Sequence, residues 1–249
     1  MYVGLAGDWH KHLPSARLAC EALVDNGATR IYQLGDLGVW PGPSGVQFLD
    51  GLEALCIELD VEIWAVPGNH DDYDQIWDVP VSDDGLQWIR PHVALIPRGH
   101  RWEQGGRTFV GLGGAPSIDY MGRVAGVDWW PNGELITPEE VKKTVEGGFA
   151  DVMLAHDAPA DSTLKVRHIL ATNPMGWSLT ELAYAAAGRK MMDQAWEGVR
   201  PSIFAHGHYH VADDTEEFRN GTRFLALDCN GRRGCLALLN LDTLEPVWF

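Results

Sequence analysis

The chain has 249 residues, of which 45% are hydrophobic, and its 35 acidic and 19 basic residues give a formal net charge of −16. A chain of this length and hydrophobic content can bury a full core, so we expect one domain spanning residues 1–249. The acidic excess argues against an extended nucleic acid partner, which would be held mainly by Lys and Arg on its phosphates. Much of that excess lies at 71–74, 83–84 and 213–217, which we interpret as a solvated face.

The sequence favours a cytoplasmic protein. It contains no run of about 18 apolar residues, the length needed to span a bilayer, and we expect no membrane partner. Its first residues lack the basic flank and small-residue cleavage site of a signal peptide, so we expect an unprocessed chain. The four cysteines lie in apolar surroundings without CxxC spacing, which favours buried reduced thiols over disulfides or zinc sites.

The first third of the chain predicts a βαβαβ unit. Apolar runs at 3–6, 31–34 and 61–66 predict three strands. Between the first two, Pro14 begins a helix that Gly27 can end, because Pro suits the first helical turn and Gly the position after the last. Between the second and third strands, apolar residues at helical spacing predict a helix over 45–59.

The remainder of the chain predicts a second sheet. Two capping boxes open predicted helices, Thr137 with Glu140 and Ser178 with Glu181. Strands are predicted at 152–155, 203–205, 223–227, 235–239 and 246–249. Because this part is poor in helices, we expect the second sheet to be more antiparallel and to pack on the first. Two polar stretches, 113–136 and 158–177, are long for structureless connections and typical of functional or mobile loops.

Residue types that bind metal ions directly follow five of the apolar runs. A glycine stands immediately before four of these five sites. An apolar run that ends in Gly and then a carboxylate or imidazole predicts a buried strand that presents a ligand from its carboxyl end, where α/β sheets place their sites. The candidate ligands are Asp8, His10, Asp36, Asn69, His156, His208 and His210, with His70 to spare. This set is enough for two octahedral or near-octahedral ions that share a bridging carboxylate.

Five blocks in this order resemble those of the calcineurin-like metallophosphoesterases, in particular small bacterial and phage members. The blocks are Gly7-Asp8-Trp9-His10, Gly35-Asp36, Gly68-Asn69-His70-Asp71, His156 and Gly207-His208-Tyr209-His210. The resemblance implies an α/β fold in which two mixed β-sheets pack face to face between flanking helices. It also implies a phosphoester hydrolase in which a hydroxide bridging two metal ions attacks phosphorus.

The resemblance implies a role for each matching residue. The first metal would be bound by Asp8, His10 and His210, the second by Asn69, His156 and His208, and Asp36 would bridge them. Two Mn²⁺ ions are the favoured cofactors, with Fe, Zn, Co or Ni as alternatives. His70 would donate a proton to the leaving oxygen or stabilise the phosphorane, and its alternative is a core imidazole bonded to a carbonyl. Asp157 is interpreted as a turn residue or as the carboxylate that anchors His156.

The second block and one loop bear on the substrate. Val39 and Trp40 stand where the family's Ser/Thr phosphatases and dinucleoside-tetraphosphate hydrolases carry Asp and Arg, which argues against both activities. In the loop, Arg123 is predicted to hold a phosphate oxygen. Stacking on a base, worth roughly 1–3 kcal/mol, is predicted for Tyr120, Trp129 or Trp130. The alternative for the two Trp residues is packing in the core beneath the loop.

We therefore favour a phosphodiesterase that acts on small nucleotides, with 2′,3′-cyclic nucleotides as the preferred substrates. One alternative is a phosphomonoesterase for nucleotides or other small phosphates. The other is a non-catalytic scaffold, as in the family's retromer subunit, which has lost the catalytic histidine. Retention of His70 and of all seven candidate ligands weighs against the scaffold.

Overall fold

The computed structural model describes residues 1–217 and 221–249. In these ranges the strands form one sheet of seven strands and one of six. In chain order the elements are β1 (Tyr2–Ala6), α1 (Leu13–Asp25), β2 (Ala28–Gln33), α2 (Pro43–Leu59), β3 (Ile63–Ala65), α3 (Tyr73–Asp78), β4 (Gln87–Arg90), β5 (Val93–Leu95), β6 (Arg101–Gln104), β7 (Arg107–Leu112), a 3₁₀ turn (Tyr120–Gly122), α4 (Pro131–Glu134), α5 (Pro138–Glu146), β8 (Val152–Ala155), α6 (Leu164–Thr172), α7 (Leu179–Val199), β9 (Ile203–His206), β10 (Asp213–Glu217), β11 (Thr222–Ala226), β12 (Leu236–Asn240) and β13 (Pro246–Trp248).

Both sheets have a parallel centre and antiparallel edges. In the seven-stranded sheet, ordered β13-β12-β1-β2-β3-β5-β4, the strands β1, β2, β3 and β5 are parallel. In the six-stranded sheet, ordered β10-β11-β9-β8-β7-β6, the strands β11, β9, β8 and β7 are parallel. Parallel strands end at the same edge of their sheet, so the residues that follow them lie close together.

Three buried apolar clusters hold the layers together. One lies between the two sheets and contains Leu5 of β1 and Phe109 of β7. A second packs α1 and α2 on the seven-stranded sheet around Leu23 and Leu52, and a third packs α5 and α7 on the other sheet around Trp196. Because β1 is covered on both faces, its residues form the continuous apolar run seen in the sequence. This architecture confirms the predicted fold of two mixed sheets flanked by helices.

The predicted βαβαβ unit is confirmed as β1 to β3, and both predicted capping boxes are present. The prediction of a more antiparallel second sheet is wrong. Strands β12 and β13 belong to the first sheet, because β12 pairs antiparallel with β1, with Leu239 opposite Val3. This pairing buries the apolar residues of β12 beside those of β1, an arrangement that the helix-poor composition of this segment does not reveal.

Other expectations need smaller corrections. The stretch 158–177 contains α6, and 113–136 contains only α4 and the 3₁₀ turn. Asp71 and Asp72 are buried and so do not belong to a solvated face. All four cysteines are free, but only Cys20 and Cys56 are fully buried. In the described ranges, no helix combines the length and apolar character that a membrane span requires.

Candidate metal centre

The candidate ligands lie where parallel strands of both sheets end. Asp8, Asp36 and Asn69 follow β1, β2 and β3, and His156 and His208 follow β8 and β9. The two carboxylates, Asn69 and His156 are almost completely buried. Strand direction in both sheets therefore points these side chains towards one edge of the sandwich.

Close contacts join the carboxylates and imidazoles into one cluster. Nε2 of His210 lies 3.0 Å from Oδ2 of Asp8, and Nε2 of His10 lies 3.4 Å from Oδ2 of Asp36. On the other side of Asp36, Oδ1 lies 3.4 Å from Nε2 of His156. Three sets have ligand atoms that all lie within 4.8 Å of one another: Asp8 with His10 and His210, His10 with Asp36 and His70, and Asp8 with Asp36 and His156. Asp36 thus stands between the other groups, where a bridging ligand is expected.

Asn69 and His208 adjoin the same cluster through His156. Oδ1 of Asn69 lies 3.0 Å from Nε2 of His156, and the ring centroids of His156 and His208 are 5.0 Å apart. The main-chain N–H of His208 donates to the carboxylate of Asp8 at 3.2 Å. All seven candidate ligands and His70 therefore meet in one place, although they come from five separate segments of the chain.

Strained backbone marks the loops that carry the ligands. Positive φ occurs at His10 (46°), Asp36 (54°), His208 (67°) and His210 (49°), four of the nine non-glycine residues with positive φ in the described ranges. This conformation is costly for residues with a side chain and persists where the surroundings impose it, typically at functional sites. The turns after β1, β2 and β9 thus position the candidate ligands at the expense of local backbone energy.

The residues before three of the candidate ligands must be glycine because a side chain from another segment lies against the backbone there. A side chain at Gly68 would overlap the carboxylate of Asp36, and one at Gly207 would overlap that of Asp8. Gly35 has a φ of 98°, and a side chain there would overlap the ring of His156. These glycines let one segment of backbone lie directly against a ligand carried by another.

Asp36 and the neighbouring imidazoles stabilise each other's charged forms. Burial opposes a charge on Asp36, but His156, His70 and His10 hold the pKa of its carboxyl well below its usual range. Burial also lowers the pKa values of His10 and His156, yet Asp36 outweighs burial and raises them to about 9 and about 10. Cations compete with protons for such nitrogens. A buried carboxylate among several imidazoles is therefore a donor set that fits divalent metal ions.

His156 is anchored by the main chain, and not by its neighbour Asp157. Nδ1–H of His156 donates to the carbonyl of Leu34 (2.7 Å), which directs Nε2 towards Asp36. The carboxylate of Asp157 instead accepts from the hydroxyl of Tyr209 (2.9 Å) and from the main chain of Ala158 (2.8 Å). The interpretation of Asp157 as the anchor of His156 is therefore wrong.

Asp71 holds two of the ligand loops together. Its buried carboxylate accepts main-chain N–H groups from Gly38 (2.9 Å) and Val39 (2.9 Å) after β2, and from Gly68 (2.8 Å) after β3. Burial, together with the charge of Asp36, raises its pKa to about 6, although these N–H donors oppose the shift. Asp71 thus fixes the separation of Asp36 from Asn69.

Asn69 is oriented by two residues that the sequence analysis did not single out. Nδ2 of Asn69 donates to Oγ of Ser117 (3.1 Å), and this hydroxyl donates to Oε2 of Glu134 (2.6 Å). Glu134 is completely buried and also accepts from Trp129 (3.0 Å) and Tyr184 (2.5 Å). Because Nδ2 is held in this way, Oδ1 of Asn69 faces the cluster. The signal in the sequence was the length of the 113–136 stretch, which supplies both residues.

Removal of the Ser117 hydroxyl is expected to weaken binding of one of two metal ions. Loss of a residue that orients a ligand typically reduces metal affinity about 10–100-fold, so Ser117→Ala should lose one ion at a lower chelator concentration than the wild type. Metal content after dialysis against graded chelator measures this. Ser162→Ala is the control, because Ser162 is equally buried and its hydroxyl has no partner in the described ranges. Identical retention of both ions in the two variants would contradict the role of Ser117.

His70 lies beside the cluster and contacts Arg123. Its Nε2 is 3.9 Å from Oδ2 of Asp36, while the guanidinium nitrogens of Arg123 lie 2.9 Å from Nδ1 and 2.8 Å from Nε2. Burial lowers the pKa of His70, and Arg123 and His10 lower it further against the opposing charge of Asp36. A guanidinium only donates, so it stabilises the neutral ring. Arg123 is thus a side-chain partner of His70, a contact that the sequence analysis did not predict.

Arg123 is itself held by an acidic residue. Its Nε and Nη2 donate to the two carboxylate oxygens of Asp119 at 2.7 Å and 2.8 Å, and Nη1 donates to the carbonyl of Asp128 at 2.9 Å. This bidentate pair neutralises the guanidinium beside His70. The predicted contact of Arg123 with a phosphate oxygen would have to form alongside these bonds.

The three aromatic residues predicted to contact a substrate lie in different surroundings. Tyr120 and Trp129 are partly exposed, and their ring centroids are 5.2 Å apart. Trp130 is only 4% exposed and packs edge-on against Trp40, with 5.9 Å between ring centroids. The burial of Trp130 contradicts stacking on a base and corresponds to the core-packing alternative.

Two cavities adjoin the cluster on different sides. One of about 220 Å³ is lined by His10, Asp36 and His70, together with Lys11 and Trp40. The other, of about 360 Å³, is bordered by His208 and His210 and extends along α6 and α7. A small molecule with its phosphate at the cluster thus has room for substituents in two directions.

Comparisons with known proteins agree with this geometry. The family model described as calcineurin-like phosphoesterase matches residues 1–212. A protein of Thermus thermophilus has the same fold, with a TM-score of 0.56 and 13% identity over 99% of this chain and 96% of that one. A dimetal phosphatase from Danio rerio also has a TM-score of 0.56 and 13% identity, over 96% of this chain and 91% of that one. No curated protein sequence matches the chain significantly. The chain belongs to the calcineurin-like phosphoesterase family.

Proposed function

We propose that this phosphoester hydrolase is a phosphodiesterase that uses two divalent ions, Mn²⁺ first among them, to hydrolyse small phosphodiesters such as 2′,3′-cyclic nucleotides. Asp8, His10 and His210 would hold one ion and Asn69, His156 and His208 the other, with Asp36 between them. When bound, the ions would neutralise phosphate oxygens and lower the pKa of water at the site. The dense carboxylate and imidazole cluster supports this assignment.

The neutralised guanidinium of Arg123 is the observation that favours diesters. A diester phosphate carries one negative charge, whereas a monoester phosphate carries about −1.5 to −2 at neutral pH. The guanidinium nearest to His70 is paired with Asp119, and Trp40 replaces the arginine found in some of the family's phosphatases. The site therefore adds little positive charge to that of two ions, which suits the singly charged ester.

His70 would supply the proton that the leaving oxygen requires. The guanidinium of Arg123 lies against both ring nitrogens, with Nη1 2.9 Å from Nδ1 and Nη2 2.8 Å from Nε2. Because a guanidinium only donates, this contact favours the neutral ring, which keeps one N–H. That N–H would donate a hydrogen bond to the reacting phosphate or the leaving oxygen, and transfer of a proton to the leaving oxygen would take place from the protonated form of the ring.

A phosphomonoesterase is the second candidate, because Lys11 also lines the smaller cavity. Its ammonium group donates to Ser44 (3.0 Å) and lies 4.9 Å from the centroid of the Trp40 ring. A second phosphate charge would be attracted by this lysine. The fold shared with a dimetal phosphatase is compatible with either activity.

We expect the Mn²⁺-loaded protein to hydrolyse bis-p-nitrophenyl phosphate and 2′,3′-cyclic AMP faster than p-nitrophenyl phosphate or a phosphoserine peptide. The reason is the match between one phosphate charge and the limited positive charge of the site. Values of kcat/KM for the four substrates, measured with the same metal-loaded preparation, test this. Hydrolysis of the monoesters alone would reject the phosphodiesterase and favour the second candidate.

A further inference from the structure

The larger cavity continues from the metal cluster into apolar surroundings. His208 and His210 form its inner wall, and Ile118, Met175, Trp177 and Leu182 are among the residues that line the rest. Its volume of about 360 Å³ lies within the range of roughly 300–1,000 Å³ that is usual for small-molecule sites. A phosphoester with its phosphate at the cluster would therefore have an apolar space next to one of its ester oxygens.

Two of the polar groups in this wall, Asn173 and Tyr209, already have partners. The side chain of Asn173 donates to the carbonyl of Trp177 and accepts from its N–H, both at 2.9 Å. Arg189 of α7 is the one cation among the described residues that line this cavity. Tyr209, the remaining polar group of the wall between the two histidines, donates its hydroxyl to Asp157 (2.9 Å).

Paired polar groups make the cavity a poor site for a nucleobase or a second phosphate. A base would lose water at its polar edge without gaining hydrogen bonds, which is costly in an apolar environment. A second phosphate would find one cation in the wall, Arg189, and would lie near the buried carboxylate of Asp157 that accepts from Tyr209. An apolar group gains from contact with Met175 and Trp177 and requires no hydrogen bonds.

We infer that this cavity binds an apolar substituent, alkyl or aryl, of the phosphodiester substrate, and so favours, among acyclic diesters, those in which one of the two alcohols is apolar. The inference rests on the proposed function, since it takes the phosphate to lie at the metal cluster. It assigns the apolar alcohol to the α6–α7 side and leaves the smaller cavity, beside Trp40, for the other substituent.

Equilibrium binding of two matched probes tests the inference without hydrolysis. The monomethyl esters of phenylphosphonate and methylphosphonate carry the same single charge and differ only in an apolar group. We expect the phenyl probe to bind the Mn²⁺-loaded protein about tenfold more tightly, measured by calorimetry, because it buries a larger apolar surface. Met175→Ser and Trp177→Ala should each reduce this ratio at least about threefold while leaving the affinity of the methyl probe unchanged.

Leu179→Ser is the matched control, because Leu179 is an apolar side chain at the start of α7, is 85% exposed and does not line the cavity. The ratio of the affinities of Leu179→Ser for the phenyl and methyl probes should equal that of the wild type. Equal affinities of the two probes for the wild-type protein would overturn the inference. The inference would also be overturned if a monomethyl phosphonate probe that carries adenosine lost as much affinity in Met175→Ser as the phenyl probe does. The base would then occupy the cavity. Failure to hydrolyse any diester would reject the proposed function, whereas the binding ratio would still report on the cavity.

Discussion

Asp36→Asn is expected to abolish hydrolysis and to reduce bound metal from two ions per chain to one or none, with the fold intact. Asp36 contacts His10 on one oxygen and His156 on the other. Asparagine removes the negative charge that two cations would share. It also tolerates the left-handed φ of 54° at this position, so the backbone should persist. Metal content by atomic emission and turnover of bis-p-nitrophenyl phosphate measure the two effects.

Asp60→Asn provides the control for charge and backbone conformation. Asp60 also has a left-handed φ, of 50°, but lies exposed at the C-terminal end of α2 and is not one of the candidate ligands. This variant should retain full activity and both ions. Undiminished turnover in a folded Asp36→Asn protein would show that the two sets of ligands do not share this carboxylate.

His70→Ala is expected to retain both metal ions and to lose about 10²–10⁴ in kcat, the usual contribution of a general acid. The loss should be smallest for p-nitrophenolate, a good leaving group that needs little protonation, and larger for an alkyl leaving group. The measurement compares kcat for p-nitrophenyl and alkyl diesters in the wild type and the variant. His168→Ala, at an exposed position of α6, should leave both values unchanged.

Two results would argue against this role of His70. Equal losses for good and poor leaving groups would point to stabilisation of the transition state, or to displacement of its neighbour Asn69. Loss of a metal ion from His70→Ala would instead make His70 a ligand, which its distance of 3.9 Å from Asp36 and its place in one of the three clusters allow.

Much of the centre was visible in the sequence because it is built from local patterns. Each ligand block stands directly after an apolar run, and the glycines before Asp36, Asn69 and His208 mark places where backbone and ligand touch. The order of the blocks along the chain identified the family. The spacing of apolar residues located the βαβαβ unit, and the capping boxes located the starts of α5 and α7. Such signals survive in a single sequence because they depend on neighbouring residues alone.

The tertiary structure decided what depends on residues distant in the chain. The pairing of β12 with β1 joins residues 230 to 238 positions apart, and no local pattern records which strand lies beside which. The anchoring of Asn69 by Ser117 and Glu134, of His156 by the carbonyl of Leu34, and of His70 by Arg123 arises in the same way. A candidate ligand needs only the right residue type at a strand end, whereas its orientation is set by whichever donor or acceptor the packed sheets and loops bring into hydrogen-bond distance.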